Sequence, residues 1–164
     1  MRYVLIILMI AVYAIFGIPT WLEMGESPYL ARALAYSFFH ASLWHLAVNS
    51  LATWTLYRNA SFCKACKELL VAFLIAVAVY PLSFRPVIGF SNVLYATIGM
   101  RTPPLSSPWW RKSPVIVFLA VTVAMFFIPR FSATTHVAAF ALGIGYAYLR
   151  RFHKSIMNDA GRYL

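Results

Sequence analysis

Apolar residues gather into six stretches of this chain, at about positions 3–18, 34–57, 69–82, 91–102, 114–128 and 134–149, and the basic residues fall at their ends, between them or beyond them. A hydrocarbon core about 30 Å thick needs roughly 20 apolar residues of helix to cross it. Stretches of this kind, separated by short polar loops, predict an all-α, polytopic membrane fold of six transmembrane helices. The pattern reads as a single domain over residues 1–164, with a short cytoplasmic tail from about residue 151. The first stretch lacks a clean small-x-small cleavage site and is expected to remain as a helix rather than to be removed as a signal peptide.

The loop charges orient the bundle. With the N-terminus inside, the inner loops hold eleven basic residues and the outer loops hold three, Arg32, Arg85 and Arg130. The positive-inside rule then places both termini in the cytoplasm. The expected location is the bacterial cytoplasmic (inner) membrane.

The fourth stretch is too short for a full span. Pro103 and Pro104 end it, because proline cannot continue a helix interior. About twelve residues remain, or roughly 18 Å of helix. The helix enters from the inner side and its first residue, Ser91, is expected inside the membrane. Non-helical backbone at that depth survives only against protein or a water-filled cavity. A hydrated cavity open to the outside is therefore expected, with Ser91 at its floor.

Composition agrees with lipid as solvent: 62% of residues are hydrophobic, 11% are charged and the mean hydropathy is +0.74. Soluble domains carry about 25% charged residues. The net charge of +10 is spread over loops rather than along one helix face, which argues against nucleic-acid binding. Cys63 and Cys66 form a lone Cys-x-x-Cys, with no second pair to complete a tetrahedral metal site. They read as two free thiols.

Three groups of polar residues stand where packing alone does not ask for them. His40, His45 and Asn49 open the second stretch, with His45 and Asn49 on one helix face and His40 expected just ahead of the helix. Gly89 precedes Ser91, Asn92, Tyr95 and Gly99, of which Ser91, Tyr95 and Gly99 form one stripe. His136 leads a face that continues through Ala139, Gly143 and Ala147, small residues that let another helix approach closely. Gly99 offers the matching gap. Close packing of the fourth and sixth helices would join Ser91 to His136. A serine becomes a nucleophile when a base takes its proton, and neutral histidine is the usual base. The four acids, Glu23, Glu26, Glu68 and Asp159, lie outside the six stretches, so a Ser-His dyad is expected rather than a triad. Tyr95 is a candidate ring to hold the imidazole. His45, Asn49 and the Ser91 amide are candidates for an oxyanion hole. Each group alone also has a packing explanation, since Ser and His in membrane helices often bond across helices. A metal reading of His40, His45 and His136 has no HExxH spacing and no acid or thiol beside it.

In order and spacing these residues resemble the rhomboid family of intramembrane proteases. That family carries HxxxxHxxxN on its second helix, GxSG with a tyrosine four residues on at the fourth, and a histidine followed by small residues on the sixth. The resemblance implies that Ser91 attacks the scissile carbonyl, that His136 is base and then acid, and that His45, Asn49 and the Ser91 amide hold the oxyanion. Tyr95 would pack against His136. The partner would be a transmembrane protein substrate within the lipid bilayer, and no cofactor is implied. Asn92 stands where the family has its second glycine, and Ala139 where a glycine is common. Asn92 is expected at the first helical turn with its amide facing the cavity. The first loop, about residues 19–33, is short and has no Trp-Arg pair. Two other functions fit the pattern less well. One is a catalytically inactive rhomboid-like protein that binds transmembrane helices. The other is a small transporter, which would call for internal repeats that the sequence lacks.

Overall fold

The computed structural model describes residues 1–17, 29–83, 88–102 and 132–160, together with Ala120 and Val123. All regular structure among them is helical. Helix α1 is Arg2–Phe16, α2 is Tyr29–Ala35, α3 is Leu43–Tyr57, α4 is Phe62–Val79, α5 is Ser91–Arg101 and α6 is Ala133–Ala160. The expected fifth segment, 114–128, lies outside the described residues except for Ala120 and Val123, both helical and exposed.

Three boundaries differ from the hydropathy pattern. The stretch expected over 34–57 is broken: α2 passes into a 3-10 turn, Tyr36–Phe38, and Phe39 is extended. Helix α3 then starts afresh at Ser42, whose hydroxyl accepts the His45 N–H at 3.1 Å. An N-cap serine of this kind satisfies one of the orphan donors of a helix start. Phe38 and Phe39 hide the break by keeping the stretch apolar. The helix of the third stretch, α4, starts earlier than its apolar core, so Glu68 lies inside it, buried to 9% exposure. Its carboxylate is compensated there by Arg101, with Nε at 2.9 Å and Nη2 at 2.5 Å. Helix α6 runs past the sixth apolar stretch, through the residues expected as a tail, to Ala160. No glycine or proline interrupts residues 146–160, so nothing in the sequence stops the helix before Gly161.

Helix α5 forms the centre. Every residue from Ser91 to Gly99 is buried, the mark of a helix enclosed by others rather than facing solvent on one side. It packs along α6 and beside α4. The α5–α6 contact is backbone against backbone. A Cβ at Gly99 would lie 2.2 Å from the Phe140 carbonyl oxygen, and one at Gly143 would lie 2.3 Å from that of Ala96. Only hydrogen fits in either place. Polar links tie α5 to its other neighbours. The Tyr57 and Thr97 hydroxyls are 2.9 Å apart, and Arg101 stacks over the Tyr57 ring at 4.8 Å. At the same end α1 meets α3, where Arg2 lies over the Trp54 ring and donates to the Arg58 carbonyl.

The outside of the bundle is oily. Ile7, Leu51, Leu70 and Leu149 are each more than 60% exposed, a surface that water would penalise and lipid would not. Among the described residues, no helix is both long and apolar enough to cross a membrane. Helix α1 has 15 residues, or about 22 Å, and α5 has 11, or about 17 Å. Helix α6 has 28, or about 42 Å, but its second half carries charge.

Candidate active site

The site assembles at the end of the bundle where α3, α5 and α6 begin. Ser91 is the first residue of α5 and His136 lies in the first turn of α6. The Ser91 Oγ and His136 Nε2 are 2.7 Å apart. His136 Nδ1 lies 2.8 Å from the Ser132 carbonyl oxygen. A carbonyl can only accept, so Nδ1 carries the proton and donates it there. Nε2 is then the bare nitrogen and accepts from the Ser91 hydroxyl. A backbone carbonyl thus sets the tautomer, the task a carboxylate performs in a triad. Tyr95, one turn further along α5, places its ring 4.7 Å from the imidazole at 52°. Among the described residues no acid touches His136. Ser132 is a site residue that the sequence did not single out. Its contribution is a carbonyl four residues before a helical histidine, and side-chain patterns do not register carbonyls.

Across from the hydroxyl, Gly89 has φ of +125°, a backbone conformation that side chains rarely adopt. A Cβ there would lie 2.4 Å from His45 Cε1, 2.7 Å from His45 Nε2 and 3.4 Å from Asn49 Nδ2. The missing side chain leaves room for those two polar heads to face the Gly89–Ser91 backbone. Asn49 is buried, and its Nδ2 has no hydrogen-bond partner among the described residues. An unpaired buried donor is costly, which marks this amide as one held ready for an acceptor. The first N–H groups of α5 likewise lack intrahelical acceptors. His40 sits ahead of α3, fully buried, with its ring edge-on to His45 at 5.3 Å. Ser91 and His136 are 7% and 3% exposed.

Asn92 departs from expectation. It is fully buried, and its amide does not face the Gly89–Ser91 backbone. Its Nδ2 donates to the Tyr36 hydroxyl at 3.1 Å, and that hydroxyl donates to the Ala76 carbonyl at 2.8 Å. The helical periodicity explains this. Ser91 faces α6, so a residue 100° further round faces the α4 side instead. Tyr36, which the sequence did not single out, also accepts the Gly89 N–H on its carbonyl at 2.9 Å. One residue therefore holds the Gly89–Asn92 segment at both ends. An apolar-looking Tyr in an apolar run carries no outward sign of this.

Among the described residues, no group of three or more His, Cys, Asp or Glu is placed to hold a metal ion. No curated protein matches the sequence. Residues 27–152 match the family model of the Rhomboid domain, a range that contains His40, His45, Asn49, Gly89, Ser91, Tyr95, Gly99, His136, Ala139 and Gly143. With that match covering most of the chain, the protein belongs to the rhomboid family of membrane proteins.

Proposed function

We propose that this chain is an intramembrane serine protease, which hydrolyses peptide bonds in or near the transmembrane segments of other membrane proteins with a Ser91–His136 dyad. The observation that carries the reading is the 2.7 Å contact between Ser91 Oγ and His136 Nε2, with the imidazole tautomer set by the Ser132 carbonyl. Ser91 Oγ attacks the scissile carbonyl carbon while its proton passes to Nε2. The carbonyl oxygen becomes an oxyanion in the space beside Gly89, within reach of Asn49, His45 and the Ser91 N–H. As the C–N bond breaks, Nε2 returns the proton to the leaving amine, and the acyl-enzyme remains. Water repeats the sequence: Nε2 takes its proton, its oxygen attacks the ester, and Ser91 leaves with the proton restored. Tyr95 supports the ring through both steps.

In this reading the six apolar stretches cross the bilayer together, with both termini cytoplasmic and the dyad near the outer face. Short helices are tolerated because protein surrounds α5 on all sides. The chain acts as one domain over residues 1–164, in the inner membrane of a bacterium, on transmembrane substrates and without a cofactor.

The test uses purified protein in lipid vesicles, a fluorophosphonate probe and a cleavable transmembrane substrate. Wild type is expected to take the probe at Ser91 and to cut the substrate. Ser91→Ala and His136→Ala should do neither, while unfolding cooperatively. Activity within tenfold of wild type in both variants would overturn the dyad. A wild type that binds transmembrane peptides but neither labels nor cuts is the inactive relative instead.

A further inference from the structure

The opposite end of the bundle holds a second feature that the dyad does not use. Between the start of α4, the end of α5 and the second half of α6 lies a cavity of about 960 Å³. Six cations surround it: Lys64, Lys67, Arg101, Arg150, Arg151 and Lys154. The one carboxylate present, Glu68, is already engaged by Arg101 at 2.5 Å. Its contact with Lys64, at 4.0 Å on an exposed side chain, is weak. The cavity therefore carries a large unbalanced positive charge.

Part of this charge is fixed in place. Arg101 is held by Glu68, by the Leu56 carbonyl and by the Tyr57 ring. Arg151 reaches from α6 to the Thr102 carbonyl at 2.8 Å. Two guanidinium groups thus form a preset floor, and four exposed cations, Lys64, Lys67, Arg150 and Lys154, form the rim. Planar guanidinium groups suit phosphate oxygens, and lysines add point charge.

The surroundings name the source of the phosphate. Helix α6 runs about 10 Å beyond what a 30 Å core would hold, so its last turns reach the headgroup layer. Those turns are two-faced. Arg150, Arg151 and Lys154 line the cavity, while Leu149, Phe152 and Ile156 are exposed on the other side. A helix with one basic and one apolar face at an interface is built to lie among anionic lipids. A basic pocket between helices on the cytoplasmic side suits their headgroups. We infer that this cavity binds the phosphodiester headgroup of an anionic phospholipid, while Leu149, Phe152 and Ile156, on the far side of α6, hold the helix among the surrounding lipids.

Cys63 lines the same cavity and is exposed, which supplies a reporter. In a Cys66→Ala background, the full chain in neutral detergent micelles is alkylated at Cys63 in the presence of one of three probes. These are dioctanoyl phosphatidylglycerol, dioctanoyl phosphatidylcholine and inorganic tripolyphosphate. Phosphatidylglycerol should slow alkylation and raise the unfolding temperature, and phosphatidylcholine should do neither. Three of the four rim residues, leaving Lys64 with its Glu68 contact, are changed together in Lys67→Gln/Arg150→Gln/Lys154→Gln. Apparent affinity should fall roughly fivefold for each cation removed, while the unfolding temperature in phosphatidylcholine stays at the wild-type value. Protection by tripolyphosphate equal to or stronger than that by phosphatidylglycerol would make the ligand a soluble polyanion and overturn the lipid assignment. Unchanged protection in the triple variant, or no effect of phosphatidylglycerol on either readout, would overturn the site. None of these outcomes depends on Ser91 chemistry.

Discussion

Two glycines of α6, two residues apart, should respond oppositely to the same substitution. A Cβ at Gly143 would stand 2.3 Å from the Ala96 carbonyl oxygen and 3.0 Å from the Met100 nitrogen, both backbone atoms that cannot rotate away. An ordinary contact is 3.4 Å or more, so Gly143→Ala must drive α5 and α6 apart by about 1 Å. Overpacking of this kind costs about 1–3 kcal/mol. The same separation, carried to the outer ends of the helices, would stretch the 2.7 Å Ser91–His136 contact beyond hydrogen-bond range. A 1 Å misplacement of catalytic groups costs about a hundredfold in rate. A Cβ at Gly145 meets nothing within 4 Å, and Gly145→Ala should be neutral or stabilise by up to about 1 kcal/mol through helix propensity alone. The assay is thermal unfolding of both variants together with the rate of fluorophosphonate labelling at Ser91. If Gly143→Ala unfolds and labels like Gly145→Ala, the two helices do not meet through Gly143, and the account of how the dyad is held is wrong.

Other expectations follow from the same geometry. Tyr36→Phe leaves the Asn92 amide and the Ala76 carbonyl unpaired, and should cost about 1–3 kcal/mol. Adding Asn92→Leu should recover part of that loss in a double-mutant cycle, and strict additivity would refute the Asn92–Tyr36 bond. Asn49→Ala should lower turnover by roughly ten- to a thousandfold with little change in substrate affinity, because the oxyanion exists only in the transition state. A loss seen mainly in binding would make Asn49 structural. Cys63 and Cys66 should react with an impermeant thiol reagent only from the cytoplasmic side, and labelling of sealed cells would contradict the proposed orientation.

What the sequence determined by itself was local or periodic. Apolar runs mark helices because lipid and protein interiors ask for the same side chains. Gly99 and Gly143 at matching positions indicate a close helix contact, because absence of a side chain is itself a readable trait. The bounds of α5 were legible because Pro103 lies just beyond its last residue, Arg101, and Gly89 lies just before its first, Ser91. The spacing of His45 and Asn49 announced a shared face because helical geometry is fixed. The tertiary structure decided what depends on backbone atoms and on partners far along the chain. The Ser132 carbonyl that sets the His136 tautomer has no side-chain signature. The break before α3 was hidden by Phe38 and Phe39, and the burial of Glu68 within α4 is compensated by Arg101, 33 residues away. Asn92 looked like a cavity residue from its neighbour Ser91. One helical step of 100° turned it instead toward Tyr36, 56 residues earlier. Hydropathy reports the preference of each residue for its solvent. It does not report which distant group will satisfy a buried donor, and that pairing is what positions this site.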